Sequence, residues 1–336
     1  MPEPSPTPVR RGRLFRFGAA VTVLLALAGY LAVQYLTGGT GAPRCRVVSG
    51  KSDGASYEFT PEQAVNAATI SAVGTTRGLP EHAVAIALAT ALQESGLRNI
   101  QHGDRDSLGL FQQRPSQGWG TTKQIMDPTY AAGMFYEHLA KVPGYTRLPL
   151  TDAAQRVQRS GYPQAYAKHE PDATLLAAAL TGHAAATLTC EGGPGATPVG
   201  GPDSVRAALV RDFGHEVLQE AGADVSTAGS SAAPTASPSL SPTPSSSLSP
   251  SPTVSGRTVT VPVRKDPTGR STVRQRGWEL AHWAVANSSA LHIQRVSYAG
   301  REWTAGERRG EWRAPDAKGG STTTQSAAEV RIVTAQ

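Results

Sequence analysis

One glutamate stands where a side chain could transfer a proton. Glu94 falls near the end of a segment rich in Ala and Leu, and Gly96 follows it. Glycine often ends a helix because it accepts left-handed backbone angles. A carboxyl group half-buried at a helix end loses the hydration of its charged form, so it can stay protonated near neutral pH. The plainer alternative is an exposed glutamate at the edge of a helix.

Two short motifs surround this glutamate. Gln93-Glu-Ser-Gly96 comes first, and Ser107-Leu-Gly-Leu-Phe-Gln112 follows it. In type and order these motifs resemble those of the soluble lytic transglycosylase and goose-type lysozyme superfamily, over roughly residues 45–190. The resemblance implies a mostly α, lysozyme-like domain that acts on the glycan strands of peptidoglycan.

The resemblance also implies a reaction. Breaking a glycosidic bond requires a proton on the leaving oxygen. Glu94 would act as the general acid and later as the base. In lytic transglycosylases the sugar's own 6-hydroxyl attacks, which gives a 1,6-anhydromuramoyl end without a second protein carboxylate. Ser107 and Gln112 are predicted to support the site or bind substrate, although both could simply be turn residues.

A third signature of the family is altered. Its usual Ala-Tyr-Asn-Ala-Gly segment is replaced by Val157-Gln-Arg-Ser-Gly-Tyr-Pro-Gln-Ala-Tyr166. Tyr162 is predicted to stack on a sugar or hydrogen-bond to Glu94. Gln158 is predicted to stand where the family has Asn. The altered segment leaves open whether the domain catalyses or only binds.

A hydrolytic mechanism would use a second carboxylate. Asp104 and Asp106 lie in the loop after the helix, although solvated loop aspartates are the favoured interpretation. Trp119, Tyr130 and Tyr145 are candidates for stacking on sugars, with core packing as the usual role of such aromatic residues.

The elements that position these residues are mainly helices. Thr60-Pro-Glu-Gln63 is a typical helix start, and Arg77-Gly78 ends that helix. The next helix starts at Pro80 and carries Glu94. After a Gly-rich loop, the pattern predicts further helices over residues 129–141, 153–159, 163–168, 173–181 and 204–220.

The N-terminus predicts a membrane anchor. Residues 1–16 contain four arginines, and residues 17–36 are apolar and close to the roughly 20 residues that span a bilayer. Basic residues before the apolar run predict a cytoplasmic tail over residues 1–16. We therefore expect a single-pass cell-membrane protein with an uncleaved signal-anchor at 17–36 and its bulk outside. A cleaved signal peptide is the alternative.

The two cysteines suit an oxidising exterior. Cys45 follows the anchor and Cys190 ends the predicted helical domain. We expect them to pair and to join the two ends of one domain. Two unpaired thiols are the alternative.

Composition divides the rest of the chain. Residues 191–225 form a loop and one extra helix, and residues 226–255 are nearly all Ser, Pro, Thr and Ala. At about 3.1 Å per residue such a linker could reach on the order of 90 Å. Residues 256–336 are predicted to form a small α+β domain, with strands at 259–263, 292–298 and 329–334 and a helix at 273–291.

The C-terminal region carries a second resemblance. Arg276-Gly-Trp-Glu-Leu-Ala-His-Trp-Ala-Val-Ala-Asn287 and Val296-Ser-Tyr-Ala-Gly-Arg-Glu-Trp303 resemble a C-terminal module of actinobacterial cell-wall hydrolases. Relatives of that module end in a histidine-bearing strand suggestive of a zinc peptidase ancestry. Here the strand reads Ala328-Glu-Val-Arg-Ile-Val333, without histidine. The resemblance therefore implies a binding role rather than zinc catalysis.

Charge and residue spacing restrict the partners. Residues 256–336 carry thirteen Lys and Arg against seven Asp and Glu, which suits anionic wall polymers or envelope proteins. The candidate arginines for this role are Arg295, Arg301, Arg308, Arg309 and Arg313, and a solvated surface without a partner is the equal alternative. The compartment and the lack of a motif argue against nucleic acid, and the histidines lack the spacing of metal ligands. We expect neither metal nor cofactor.

Two functions fit the sequence. The first is a membrane-anchored lytic transglycosylase or muramidase with Glu94 as its single acid. The second is a non-catalytic, lysozyme-like protein that binds peptidoglycan or acts as an envelope scaffold.

Overall fold

The computed structural model describes residues 43–51, 53–159, 164–191, 200–219, 256–265, 269–307, 311–314 and 327–335, with positions 21, 28 and 29 near the N-terminus. The predicted tail, almost all of the predicted anchor and the predicted linker lie outside these residues. Among the described residues, no helix has the length and apolar character needed to cross a bilayer.

Six helices make up the described helical domain, by which we mean residues 43–191. They are α1 (Pro61–Thr76), α2 (Glu81–Ser95), α3 (Thr122–Ile125), α4 (Pro128–Ala140), α5 (Leu150–Gln158) and α6 (Glu170–Leu180). Helix α2 packs against α1, α4, α5 and α6. Its residues from Ala83 to Leu92 are all buried, as expected of a helix at the centre of a bundle.

Helix starts follow local signals in most cases. The Thr60 side chain accepts from the Gln63 backbone, and the Gln63 side chain returns a bond to Thr60, as the sequence predicted. Helix α5 starts at Leu150, whose side chain is buried, earlier than predicted. Helix α6 starts at Glu170, because Pro171 fits the first turn rather than interrupting the helix. Of the helix predicted at 163–168, residues 164–168 are described, and they form a turn that leads into a short 3-10 helix at Ala167–His169.

A small sheet closes the helical domain. Strands β1 (Cys45–Val48), β2 (Ser56–Phe59) and β3 (Leu188–Cys190) are antiparallel in the order β2-β1-β3. Cys45 faces Cys190 directly across β1 and β3, and a disulfide joins them, which confirms the predicted pair. The strands themselves were not predicted, since each has only three or four residues.

The rest of the described chain contains a helix, α7 (Gly201–Phe213), and residues 256–335, which we call the C-terminal module. The module contains β4 (Thr258–Pro262), α8 (Val273–Ala286), β5 (Ile293–Tyr298), β6 (Arg301–Thr304) and β7 (Glu329–Thr334). Its sheet is antiparallel with the order β4-β7-β5-β6. Strand β6 was missed by the sequence patterns.

Helix α8 packs on this sheet and also on α1, α6 and β3 of the helical domain. Residues 43–336 accordingly group into one compact unit. The described chain is mixed α and β, with small antiparallel sheets beside the helices.

Candidate functional site

The end of α2 fixes the backbone that carries Glu94. Gly96 follows the helix with φ +63° and donates its N–H to the last carbonyl groups, as predicted for this position. Helix α1 holds the same turn from one side, because Gln63 and Asn66 donate to the carbonyl oxygens of Gly96 and Leu97, each at 2.8 Å. These bonds leave little freedom to the turn beside Glu94.

The second motif holds the helix end from another side. Ser95 Oγ donates to the carbonyl oxygen of Leu110 at 2.8 Å, which ties α2 to the Gly-Leu-Phe-Gln segment. Gln158, at the end of α5, donates to the carbonyl oxygen of Phe111 at 2.8 Å. The two motifs therefore meet in the structure, and Gln158 contacts both of them.

The Glu94 carboxyl group is half-buried and receives two neutral donors. Tyr166 donates its hydroxyl to Glu94 Oε1 at 2.8 Å, and the Gln158 side chain also hydrogen-bonds to the carboxylate. Burial raises the pKa of Glu94 above its ordinary value, and these two bonds offset only part of that rise. The group thus keeps its proton to a higher pH than an exposed glutamate does.

Tyr166 takes the position beside Glu94 for which Tyr162 was the candidate. Tyr162 lies outside the described residues, whereas the Tyr166 ring is completely buried. A signal was present in the sequence, since Ala165-Tyr166 keeps the first two residues of the family's Ala-Tyr-Asn-Ala-Gly segment.

Ser107 and Gln112 contact their own loop. Ser107 is buried and donates its backbone N–H to the Asp104 carbonyl oxygen. Gln112 has φ +47°, and its side-chain amide donates to the Gly109 carbonyl oxygen at 3.2 Å. Their predicted contacts with substrate stay predictions.

The loop aspartates, Asp104 and Asp106, contact residues of their own loop and its neighbours rather than Glu94. Asp106 accepts from Arg114 Nε at 2.7 Å and from the Ser116 backbone at 2.9 Å. The bonds from Ser116 and Arg114 hold the pKa of Asp106 far below its ordinary range. The Asp104 side chain is 93% exposed and lies 3.9 Å from Arg105. These contacts fit the interpretation of both residues as loop aspartates.

A second contact joins the Tyr166 segment to α2. His169 Nε2 lies 3.2 Å from Gln93 Oε1, so the imidazole N–H donates to the residue before Glu94. Burial lowers the pKa of His169, which favours the neutral ring. The sequence did not predict this contact, because it links residues far apart in the chain.

The predicted stacking aromatics are packed to different degrees. Trp119 lies with its ring centroid 4.1 Å from that of His138. Trp119 and Tyr145 are partly buried against the core, and the Tyr130 hydroxyl lies close to Gly120. Their roles toward sugar stay predictions.

The arginines of the C-terminal module have acidic partners in several cases. Arg295 lies 3.3 Å from Glu302, and Arg313 lies 3.0 Å from Glu307. Arg301 reaches the Trp312 carbonyl oxygen at 3.5 Å. Arg308 and Arg309 lie outside the described residues. Arg295 and Arg313 are therefore engaged in ion pairs, and the predicted contacts with anionic partners stay predictions.

The His, Cys, Asp and Glu side chains of the described chain do not cluster as metal ligands. No group of three or more His, Cys, Asp or Glu side chains there could hold a metal ion. Strand β7, which contains no histidine, presents Val330 and Ile332 to the core. The expectation that the protein needs no metal or cofactor stays a prediction.

Comparison with known proteins gives one similarity. A family model described as "VldE, C-terminal domain" matches residues 223–326. These residues are less than half of the chain, and the match is consistent with a separate C-terminal module. It does not extend to residues 45–190. No curated protein matches the chain.

Proposed function

We propose that the chain is an extracytoplasmic enzyme that cleaves peptidoglycan glycan strands, with Glu94 as its single general acid and base. The observation that carries this proposal is the half-buried Glu94 carboxyl group, whose pKa is raised and which Tyr166 contacts at 2.8 Å. The two sequence motifs around Glu94 supply the substrate class. A lysozyme-like fold for residues 45–190 and an anchor at 17–36 belong to the same proposal.

The acid step starts from protonated Glu94. Glu94 Oε1 accepts from the Tyr166 hydroxyl, so the other oxygen carries the transferable proton. Glu94 gives this proton to the oxygen of the bond between N-acetylmuramic acid and N-acetylglucosamine as that bond breaks. The carboxylate that forms keeps the hydrogen bonds from Tyr166 and Gln158, which stabilise its charge.

The base step completes the reaction. The Glu94 carboxylate takes a proton from the sugar's 6-hydroxyl as that oxygen attacks the anomeric carbon, which forms a 1,6-anhydro end. A water molecule in place of the hydroxyl would give a reducing end, as in a muramidase. The ring-forming route is favoured because Asp106 is bonded to Arg114 and Ser116, and Asp104 is exposed.

The test compares two conservative variants on purified cell walls. Glu94→Gln keeps the size of the side chain but cannot donate an acidic proton, so release of soluble muropeptides should fall at least 100-fold. Glu311→Gln is the matched control, since Glu311 is exposed in the C-terminal module, and its release should equal that of the wild type. Equal release from Glu94→Gln and the wild type would refute the proposal.

A second candidate function is glycan binding without cleavage. The observation that favours it is the segment at 157–166, which replaces the Ala-Tyr-Asn-Ala-Gly signature and contains no Asn. A binding protein would pellet with insoluble peptidoglycan and leave the glycan mass unchanged. Failure to pellet would remove this candidate, and release of muropeptides would decide for the enzyme.

A further inference from the structure

Helix α8 is enclosed by two parts of the molecule. Its ten residues from Gly277 to Ala286 are all buried. The sheet of the C-terminal module covers one side, and α1, α6 and β3 cover another. A helix that only supported its own small sheet would leave a polar side toward water. Helix α8 is therefore built to pack on the helical domain.

The polar side chains of α8 are satisfied across this contact. Glu279 accepts from Thr75 of α1 and from Arg276 at 2.8 Å. His282 is completely buried, with Nδ1 2.8 Å from the Ala179 carbonyl oxygen and Nε2 accepting from the Thr187 backbone at 3.2 Å. Buried polar groups are costly unless they are paired. The partners of Glu279 and His282 on the helical domain are therefore part of the fold.

A buried carboxylate joins three helices at the same place. Asp212 of α7 accepts from Trp283 Nε1 of α8 at 2.8 Å and from Thr69 of α1 at 3.3 Å. Arg211 forms two further bonds to it, at 2.7 and 3.0 Å. Bonds of this number and geometry fix the position of α8 on α1.

The tryptophans of the C-terminal module face inward. Trp278, Trp283, Trp303 and Trp312 are all at most 6% exposed, and Trp312 Nε1 donates to the Leu188 carbonyl oxygen of β3 at 2.9 Å. Proteins that bind sugars through aromatic stacking need such rings at the surface. Trp312 serves the contact with the helical domain instead, and Trp283 binds Asp212 of α7.

The chain leaves and re-enters the described structure at neighbouring points. Arg264, just after β4, donates to the carbonyl oxygen of Gln219, the last described residue before the predicted linker. Strand β4 also packs on the 3-10 turn His215–Leu218. The residues on both sides of the linker are therefore in contact, and the linker is not needed to set the distance between the two parts.

We propose that the α1, α6 and β3 face of the helical domain is a docking surface for the C-terminal module, which binds there non-covalently and permanently. The module is a structural partner of the helical domain rather than a mobile arm on a long linker. This inference does not depend on the activity proposed for Glu94.

The test cuts the linker in the full chain. A specific protease site placed within residues 226–255 is cleaved, and the C-terminal fragment is captured by a terminal tag. The helical fragment should stay bound to the captured fragment during washing, whether the cleaved protein is loaded at micromolar or at nanomolar concentration. Release of the helical fragment on cleavage would overturn the proposal.

A matched pair of glycine variants locates the surface. Gly182 has φ +75°, and a Cβ there would lie 1.9 Å from the Gln275 carbonyl oxygen of α8. Gly144 has a similar φ of +67° but open space around its Cβ position. After cleavage, Gly182→Ala should raise the dissociation constant at least tenfold relative to Gly144→Ala. Equal dissociation constants would place the contact elsewhere and overturn the proposal.

Discussion

Helix α1 supports the surroundings of one carboxylate, Glu94, and binds another, Asp212, directly. Near its start, Gln63 and Asn66 hold the turn beside Glu94, and further along Thr69 binds Asp212. Asp212 is fully enclosed and ion-paired with Arg211 at 2.7 Å. Glu94 is only half-buried, and its donors Tyr166 and Gln158 are neutral.

This difference separates a structural carboxylate from the carboxylate that we propose as the catalyst. A charged partner and full burial commit Asp212 to its bonds with Arg211, Thr69 and Trp283. Neutral donors and partial burial let Glu94 lose and regain a proton, with the raised pKa that an acid catalyst needs. Burial of a carboxylate alone does not indicate catalysis, because structural carboxylates are buried as well.

The largest difference between Glu94 and Asp212 should appear when each carboxylate is replaced by its amide. Glu94→Gln should lower muropeptide release at least 100-fold while changing the free energy of unfolding by less than about 0.5 kcal/mol. Asp212→Asn should lower the free energy of unfolding by about 2 kcal/mol, because hydrogen bonds to a charged group weaken. Denaturant unfolding and release assays on both variants measure this. A destabilised Glu94→Gln protein with unchanged Asp212→Asn stability would reverse the assignment.

The disulfide, like Asp212, is expected to stabilise the fold rather than take part in the reaction. It links β1 to β3, and β3 also receives Trp312 of the C-terminal module. The closed loop spans 145 residues, so the loop-entropy model gives up to about 4–5 kcal/mol, and we expect about 3 kcal/mol in practice. The double variant Cys45→Ala/Cys190→Ala should show this loss in urea unfolding. Unchanged stability would mean that strand pairing alone holds the ends together.

The docking contact should depend on pH through His282. Burial lowers the pKa of His282 from about 6.5 to about 4. Between these values the unfolded chain binds a proton that the folded chain does not, so acid favours unfolding. From pH 7 to pH 4.5 this residue should cost about 2–3 kcal/mol of stability. His282→Gln cannot titrate, so its free energy of unfolding should fall less over the same range; equal slopes would contradict the buried neutral ring.

The smallest effect concerns the hydrogen bond to Glu94. The Tyr166 bond lowers the pKa of Glu94, so Tyr166→Phe should raise that pKa and move the alkaline limb of the pH–rate profile to higher pH. Activity at the optimum should fall about threefold to tenfold, the typical effect of one hydrogen bond. Tyr57→Phe is the control, because Tyr57 lies on β2 and stacks on Phe59, and it should leave the profile in place. An alkaline limb that moves to lower pH would contradict the role of Tyr166.

Local chemistry made part of this arrangement predictable. Local residues predicted the Thr60 capping box and the helix end at Gly96. The Cys45–Cys190 pair was predicted because an oxidising exterior was expected. The helical pattern predicted the start of α8 at Val273, and the strand pattern predicted the bounds of β7.

The rest depended on contacts between distant residues. Tyr166 reaches Glu94 across 72 positions of sequence, and His282 reaches Ala179 across 103. A Ser- and Pro-rich linker suggested separated domains, yet its described neighbours Gln219 and Arg264 touch. Composition describes the segment itself and carries no information on where the chain returns.

Mass spectrometry of purified cell walls digested by the wild-type protein tests the central claim most directly. A single acid at Glu94 and attack by the 6-hydroxyl predict fragments that end in a 1,6-anhydro sugar, and none of these should form with Glu94→Gln. Glycan strands of unchanged mass after incubation with the wild type would contradict the claim that Glu94 cleaves them.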